Sequence, residues 1–302
     1  MKTPTRIVLL ALLIAALRST AAWAAEDGGF DLATPPAEPS PEEATITPAP
    51  ESAAGATSDE DLARRLANPI ANLISVPFQF NYDTGFDGPG DGDGERVVVN
   101  IQPVIPFSLN EEWNLITRTI VPIKFMDDVR IDSGSTQFGL GDTVQSFFLS
   151  PKAPGPGGAI WGVGPVFLWP TATNDSLGLE KWGVGPTGVV LFQKGPWTYG
   201  GLANHIWSYA GDDDRREVNA TLLQPFLSYT FPTATSLSLS TEAIYDWNAG
   251  QWSVPVNLSV NQMLRIDQQP VQVGVGFRYF VEAPDRGPEW GLRLTFTLLF
   301  PR

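Results

Sequence analysis

The chain has 302 residues, of which 43% are hydrophobic, and a formal net charge of −14 at pH 7. This length allows one large β domain or two ordinary domains. The acidic balance argues against a nucleic-acid partner, because phosphate binding requires clustered lysine and arginine. The absence of cysteine excludes disulfides and thiolate chemistry, and the single histidine, His205, excludes any site that needs two imidazoles.

The first 24 residues have the pattern of a secretory signal peptide. A positively charged start is followed by an apolar run over residues 7–17 and by a small-x-small pattern at residues 22–24. Arg18 interrupts the run, whereas a membrane-spanning helix needs about 20 apolar residues. The sequence therefore predicts export of the chain and removal of residues 1–24.

Two short segments separate this leader from the main domain. Residues 25–58 are dominated by Ala, Pro, Glu, Thr and Ser. Such a composition buries too little apolar surface to offset the entropy of ordering, so we predict a disordered periplasmic tail. Residues 59–70 are predicted as a short helix, with Ser58 as N-cap, acidic residues in the first turn and Pro69 at its end.

Residues 71–302 have the pattern of β-strands throughout. Long segments alternate between apolar and polar side chains, the period that places successive side chains on opposite faces of a sheet. In the last strand, large apolar residues occupy every second position from Trp290 to Phe300. The twelve predicted strands are 71–83, 95–107, 112–125, 136–149, 158–171, 181–193, 196–210, 217–231, 235–247, 252–265, 270–282 and 288–300.

The connections between these strands differ in kind at the two ends. Short turns such as 193–196 alternate with longer acidic loops such as 83–95, apart from the short connection 248–251. This asymmetry is typical of outer-membrane barrels, which also carry aromatic girdles at both membrane interfaces. The predicted girdle residues are Trp207, Tyr209, Tyr245, Trp247, Trp252 and Trp290 near the long loops and Trp113, Trp197, Phe231 and Phe300 near the short turns.

These patterns predict an all-β fold: a transmembrane antiparallel up-and-down β-barrel of about 12 strands in the outer membrane of a Gram-negative bacterium. In lipid an unpaired backbone group is costly, so the sheet must close on itself. A soluble β-sandwich or lipocalin-like barrel has the same alternation with its apolar face inward. Its water-facing surface would then carry very few charges. Outer-membrane lipid and lipopolysaccharide are therefore the expected surroundings.

Several stretches resemble a bacterial family of outer-membrane transporters. They are NPIANLISVPFQFNYDTG (68–85), NIQPVIPFSLNEEWNLITRTIVPI (100–123), GLGD (139–142), FFLSPK (147–152), IWGVGPVFLWPTAT (160–173), KWGVGP (181–186) and PEWGLRLTFTLLFP (288–301). Members are labelled neuromedin U-like and are similar to proteins assigned to a MetA pathway of phenol degradation. The resemblance implies an outer-membrane barrel that passes small aromatic compounds. One departure is that Pro301-Arg302 follow Phe300, where such barrels commonly end in an aromatic residue.

Charged residues on the inward-facing phase of the strands are the candidate functional residues. An arginine facing lipid costs about 2–4 kcal/mol at the midplane, so these side chains are expected in the lumen. The candidates for a solute path are Arg118, Glu242, Asp246, Arg278 and Arg293, together with Asp142, whose strand phase is ambiguous. Two interpretations stay open: a structural network that closes a narrow lumen, or a lining that selects the solute.

An acidic loop is a weaker candidate for binding a metal ion. Asp87, Asp91, Asp93 and Glu95 lie among glycines, and Ca²⁺ takes several carboxylate oxygens from flexible loops. The spacing does not match an EF-hand, so a solvated acidic loop is the simpler interpretation. No cofactor and no resident metal are predicted.

His205 is the residue to consider for catalysis. Hydrolase chemistry needs a nucleophile and an orienting group around the imidazole, and the sequence has no G-x-S-x-G stretch. His205 shares its alternation phase with Trp207 and Tyr209, which favours an interfacial, lipid-facing position. No catalytic residue is predicted.

The predicted function is passive transport of small solutes, aromatic or hydrophobic compounds among them. A structural or adhesion-type barrel with a closed lumen and a lipid-acting barrel enzyme are the alternatives. About eight strands are filled by side chains and sixteen to eighteen leave an aqueous channel, so twelve give an intermediate bore. Conduction then depends on the helix at 59–69, which either plugs the lumen or stays outside it.

Overall fold

The computed structural model describes residues 58–87, 93–127, 129 and 136–301, so the predicted leader and nearly all of the predicted tail lie outside the described residues. This part of the chain contains a helix, α1 (Asp59–Leu66), a 3-10 turn at Pro156–Gly158 and fifteen strand segments. The strands are β1 Ile74–Asp87, β2 Asp93–Ile101, β3 Val104–Ser108, β4 Trp113–Asp127, β5 Gln137–Leu140, β6 Thr143–Pro151, β7 Ile160–Trp169, β8 Lys181–Lys194, β9 Trp197–Gly211, β10 Asn219–Thr230, β11 Thr235–Thr241, β12 Ala243–Asp246, β13 Gln251–Ile266, β14 Gln269–Glu282 and β15 Trp290–Phe300. No helix in the described ranges is long and apolar enough to cross a membrane.

The fifteen segments form a closed antiparallel barrel of twelve strands. The pairs β2/β3, β5/β6 and β11/β12 are each one barrel strand with a short interruption. Each barrel strand pairs with the next along the chain, and β15 pairs with β1 from Ile74–Phe300 to Thr84–Trp290. This last pairing closes the sheet, so the predicted fold class is confirmed.

Prolines on neighbouring strands account for the three interruptions. The residues that face each other at these breaks are Gln102 and Pro77, Gly141 and Pro122, and Glu242 and Pro255. Proline has no backbone N–H and cannot complete the hydrogen-bond ladder of a sheet. Each break therefore follows from the sequence of the adjacent strand.

The apolar face of the barrel points outward. Leu292 and Leu294 retain 43% and 39% of their surface, whereas Arg293 between them retains 7%. Exposed aromatic side chains form bands at both ends, as in barrels that face lipid. They are Trp207, Tyr209, Trp247, Trp252 and Trp290 at the long-loop end and Trp197, Phe231 and Phe300 at the short-turn end. Of the other predicted girdle residues, Tyr245 packs against Trp247 and Trp252, and Trp113 packs against Trp161.

The helix α1 begins at a capped N-terminus. The Ser58 side chain accepts a hydrogen bond from the Asp61 backbone N–H at 3.1 Å, which satisfies one of the free donors of the first turn. Acidic residues in this turn and arginines in the last turn complement the helix dipole. The helix ends at Leu66, before Asn68, whose side chain accepts a hydrogen bond from the Ile70 backbone N–H at 2.9 Å.

Residues 58–73, hereafter the plug, lie across the lumen at its short-turn end. Leu62 is 1% exposed and packs with Met263 and Leu299, which lie on the inner faces of β13 and β15. On the other side of the barrel, the Gln193 side chain on β8 donates a hydrogen bond to the Arg64 carbonyl at 2.8 Å. The plug therefore contacts opposite walls of the barrel.

The end of the plug inserts one side chain deeper into the barrel. Ile70 is 3% exposed and sits in an apolar cluster on the inner wall. The other members of this inner apolar patch are Val104, Ile116, Phe148, Val189, Leu191 and Leu202. The inner wall is thus apolar where the plug covers it. The alternation of the sequence had predicted an apolar outer face and a polar inner face throughout.

Candidate functional site

The loop-side half of the lumen contains a network of arginines and carboxylates built around Arg293. Its Nη1 and Nη2 atoms donate to both oxygens of Glu242, at 3.0 and 2.9 Å, and its Nε atom donates to Asn81 Oδ1 at 2.7 Å. Such bidentate pairs are stronger and more directional than single hydrogen bonds. Arg293 on β15 is therefore fixed by β1 and by the break between β11 and β12.

A second carboxylate, Asp83, lies between two further arginines of the network. Its side chain is 1% exposed, with Arg96 Nη2 at 2.9 Å and Arg278 Nη1 at 3.3 Å. Arg278 Nη2 is also 4.0 Å from Glu242 Oε2, so it joins the two carboxylates. The structure thus brings together Arg278, Arg293 and Glu242 from the predicted set, and it adds Asp83 and Arg96.

A glycine on the closing strand makes room for this network. A Cβ atom at Gly291 would lie 2.6 Å from Asp83 Oδ1 and 2.3 Å from the Tyr82 carbonyl oxygen. Contacts that short do not occur in folded proteins without displacement of the neighbouring atoms. Gly291 therefore allows the buried carboxylate to sit directly against the β15 backbone.

Arg118 extends the polar lining toward the plug. Its Nη2 donates to Gln102 Oε1 at 3.0 Å, and the Gln102 amide contacts that of Gln79 at 2.7 Å. A cavity of about 160 Å³ lies next to Arg118, between the plug and the barrel wall. The wall contributes Ser75, Pro77, Gln102, Val104 and Arg118, and the plug contributes Arg65, Leu66, Asn68, Pro69, Ala71 and Leu73. This volume matches about five water molecules or one small solute.

The two other predicted lumen residues lie outside the network. Asp246, at the end of β12, forms an ion pair with Arg216 at 2.6 Å and accepts hydrogen bonds from the backbone of the following turn. Asp142 accepts hydrogen bonds from the backbone N–H groups of Ala172 and Leu179, at 3.2 and 2.6 Å. Both carboxylates thus anchor connections at the loop end.

The connection that Asp142 holds, residues 170–180, folds against the inner wall. Leu177 within it is 1% exposed, and its carbonyl accepts a hydrogen bond from Lys124 Nζ at 2.8 Å. Arg215 Nη2, from the next long connection, donates to the carbonyls of Asp175 and Gly178 at 2.6 Å each. These contacts hold the connection at the loop end of the barrel.

Part of the acidic loop falls outside the described residues. Asp91 is among the residues not described, and for Asp87 and Asp93 the structure gives only the backbone, which pairs β1 with β2. Glu95 lies on β2 opposite Thr84. Within the described ranges, no three histidine, aspartate or glutamate side chains are grouped as metal ligands.

His205 lies on the outward face of β9 in the loop-side aromatic band. Its ring is 4.0 Å from that of Trp207, and its Nδ1 is 2.7 Å from Thr221 Oγ1. The Thr221 oxygen also accepts a hydrogen bond from Trp247 Nε1 at 2.9 Å. These contacts connect β9, β10 and Trp247, which follows β12. The alternation of the sequence had likewise placed His205 on the outward face.

The sequence did not predict that Asp83 and Arg96 belong to the network. The predicted loop at 83–95 began at Asp83, and Arg96 was the second residue of the next predicted strand. In the structure, β1 continues to Asp87 across a bulge at Gly85, and β2 begins at Asp93. Gly85 has a positive φ of 81°, which glycine adopts without steric cost, and this allows β1 to continue beyond the bulge. Asp83 follows Asn81 by two residues, so the alternation alone would have found it on the same face.

The comparisons with known proteins identify the fold. No family model and no curated protein matches the chain. The structure is similar to that of an outer membrane channel from Pseudomonas putida F1, with a TM-score of 0.60 and 16% identity over 76% of this chain and 96% of that chain. Outer membrane phospholipase A from Escherichia coli gives a TM-score of 0.46 and 11% identity, over 75% and 90% of the two chains. The β domain of a Bordetella autotransporter gives 0.39 and 13%, over 74% and 98%. The chain thus has the fold of an outer-membrane β-barrel.

Proposed function

We propose that the chain is an outer-membrane channel of a Gram-negative bacterium, through which small solutes pass when the plug leaves the lumen. The exposed apolar face and the two aromatic bands fit a bilayer with lipopolysaccharide in its outer leaflet. The leader predicted at residues 1–24 supplies export. The plug then lies on the periplasmic side, where the short turns of such barrels lie.

The observation that carries this proposal is that a segment preceding the barrel fills the short-turn end of the lumen by non-covalent contacts. One ion pair, Arg265 to Asp59 at 2.7 Å, links α1 to the wall, and both side chains are exposed to about 40%. Such pairs contribute about 0–1 kcal/mol. Burial of the large apolar side chains Leu62, Ile70 and Leu73 contributes about 1.5–3 kcal/mol each. All of these contacts are non-covalent, so they hold the segment in place without preventing its release.

The inner apolar patch supports small aromatic or hydrophobic compounds as the solutes. When Ile70 leaves, Phe148 and Leu191, which are fully buried by the plug and its neighbours, line the short-turn half of the lumen. An apolar ring or chain gains by burial against such a surface. The resemblance of residues 68–302 to neuromedin U-like and MetA-pathway proteins agrees with this class.

Deletion of the plug tests the proposal. A variant that lacks residues 26–70 should show a larger single-channel conductance in planar bilayers than the full chain, because Leu62 and Ile70 no longer fill the lumen. Deletion of residues 26–57 is the matched control: it keeps the described plug and should conduct like the full chain. Equal conductance in all three proteins would contradict the proposal.

The conductance of the plug deletion also separates the channel from a structural or adhesion-type barrel. Such a barrel stays closed without its plug, since the arginine–carboxylate network would then seal the lumen. Liposome swelling with phenol-like and sugar solutes would show no uptake in that case. A lipid-acting enzyme is addressed by His205→Ala, which abolishes lipid hydrolysis only if the contact between His205 and Thr221 is catalytic.

A further inference from the structure

The network in the loop-side lumen carries an excess of positive charge. It contains four guanidinium groups, from Arg96, Arg118, Arg278 and Arg293, and two carboxylates, from Asp83 and Glu242. Two positive charges are therefore not balanced within the network, although the whole chain has a net charge of −14. The network and the whole chain thus have net charges of opposite sign.

The protein leaves donors of this network without acceptors. Arg293 uses all three nitrogens on Glu242 and Asn81. By contrast, the Nε atoms of Arg96 and Arg278 are buried and have no hydrogen-bond partner among the described residues. The Arg278 side chain as a whole is 8% exposed. The Oδ1 atom of Asp83, 3.3 Å from Arg278 Nη1, is also buried without a hydrogen bond. Buried donors are normally satisfied, so the two Nε groups are open to an acceptor from outside the protein.

We propose that this network is a binding site for small organic anions, and that the channel selects carboxylates over cations and neutral solutes. This inference rests on the proposed channel function and specifies its solute. A guanidinium fork matches the two oxygens of a carboxylate, and Arg293 already binds Glu242 in that way. Charged side chains that line a pore set its selectivity, and low-dielectric walls strengthen their field.

The order of surfaces along the lumen fits an anion that also has an apolar part. From the loop side, a solute meets Arg96 and Arg278, then Arg118, and then the inner apolar patch uncovered by release of Ile70. An aromatic carboxylate would be held by its charge first and by its ring afterwards. A cation would meet uncompensated guanidinium groups at the first step.

Reversal potentials in planar bilayers test the selectivity. With a tenfold KCl gradient across the membrane, the full chain should give an anion-to-cation permeability ratio clearly above 1. The double variant Arg96→Gln/Arg278→Gln should lower the ratio toward about 1, because it removes two of the four positive charges. Arg118→Gln should lower it less, and it keeps the test valid if the double variant fails to fold. Arg286→Gln, an exposed site in the β14–β15 connection, is the matched control and should keep the full ratio.

Benzoate and benzyl alcohol then test the bound group. Benzoate added to the KCl solutions should reduce the chloride current through the full chain more than benzyl alcohol does, because only benzoate carries a carboxylate. A conducting channel that prefers potassium, or one that both compounds block equally, would overturn the inference and leave the channel function intact. Absence of conductance in both the full chain and the plug deletion would instead overturn the channel function, and this inference with it.

Discussion

The two ends of the lumen are built from different kinds of contact. At the short-turn end the inner wall is apolar, and residues 58–73 cover it through packing of Leu62 and Ile70. At the loop end the wall is charged, and its side chains bind one another across strands, as Arg293 binds Glu242 and Asn81. The plug precedes the barrel in the chain, whereas the network is part of the barrel wall.

This difference separates the parts that can move from the parts that hold the pore in shape. Apolar packing of a short segment is non-directional, so the segment can leave and return without a fixed sequence of bonds. A network of charge-assisted hydrogen bonds depends on geometry, and removal of one partner leaves a buried charge unpaired. We expect substitutions in the network to change barrel stability and substitutions in the plug to change gating.

The largest expected loss of stability comes from Gly291→Ala, which places a methyl group against the arginine–carboxylate network. Its Cβ would lie 2.3 Å from the Tyr82 carbonyl oxygen at the closing seam, so we expect a loss of about 3 kcal/mol, the upper end of the usual range for overpacking. Guanidinium unfolding in lipid vesicles, followed by tryptophan fluorescence, measures it. Gly188→Ala is the control, because its Cβ would make only ordinary contacts at 3.7 Å. Equal stabilities of the two variants would contradict the idea of a fixed wall.

A smaller loss is expected when Glu242 loses its charge. Glu242→Gln leaves Arg293 without its anionic partner, and because the Glu242 side chain keeps 28% exposure we expect about 1–3 kcal/mol. The control is Asp246→Asn, whose partner Arg216 is 61% exposed, so that pair contributes about 0–1 kcal/mol. Unfolding curves of both variants against the original chain give the comparison. If Asp246→Asn costs as much as Glu242→Gln, burial is not what distinguishes the two pairs.

The smallest expected effect is a pH dependence of the melting temperature, caused by Glu217 in the connection before β10. Hydrogen bonds from Lys181 and Ser208 hold the pKa of Glu217 below its usual value. A lowered pKa in the folded state stabilises the protein above the unfolded value of about 4.3, and this contribution is lost as the pH falls through the folded value. The melting temperature of Glu217→Gln should therefore lie below that of the original chain at pH 7 and converge with it below the folded pKa. The exposed Glu112→Gln should show no such convergence, and a Glu217→Gln difference that persists in acid would contradict the assignment.

The alternation of apolar and polar residues predicted which side chains face outward, because the sequence of each strand shows this without reference to the rest of the chain. The period of two from Trp290 to Phe300 is enough to place Leu294 outside and Arg293 inside. It also placed Arg118 and Glu242 on the inner face. Membrane barrels are favourable for this kind of inference, since lipid requires the same apolar face from every strand.

The remaining features depend on contacts between distant parts of the chain. The alternation cannot show that Ile70 covers Phe148 and Leu191, because that contact depends on how a preceding segment folds back. It also cannot show that Asp142 anchors the connection at 170–180 and so lies outside the network. Strand bulges such as that at Gly85 shift the ends of strands, and the loop at 83–95 was predicted too long for this reason.

The position of the plug has a consequence for the order of assembly. Asp59 contacts Arg265 across 206 residues of sequence, and Leu62 packs against Leu299 near the far end of the chain. The surface that receives the helix is complete only when the final hairpin is in place, so full docking follows formation of that hairpin. Until then the inner apolar patch is uncovered, and transiently exposed apolar surface of this kind makes a folding intermediate prone to aggregation.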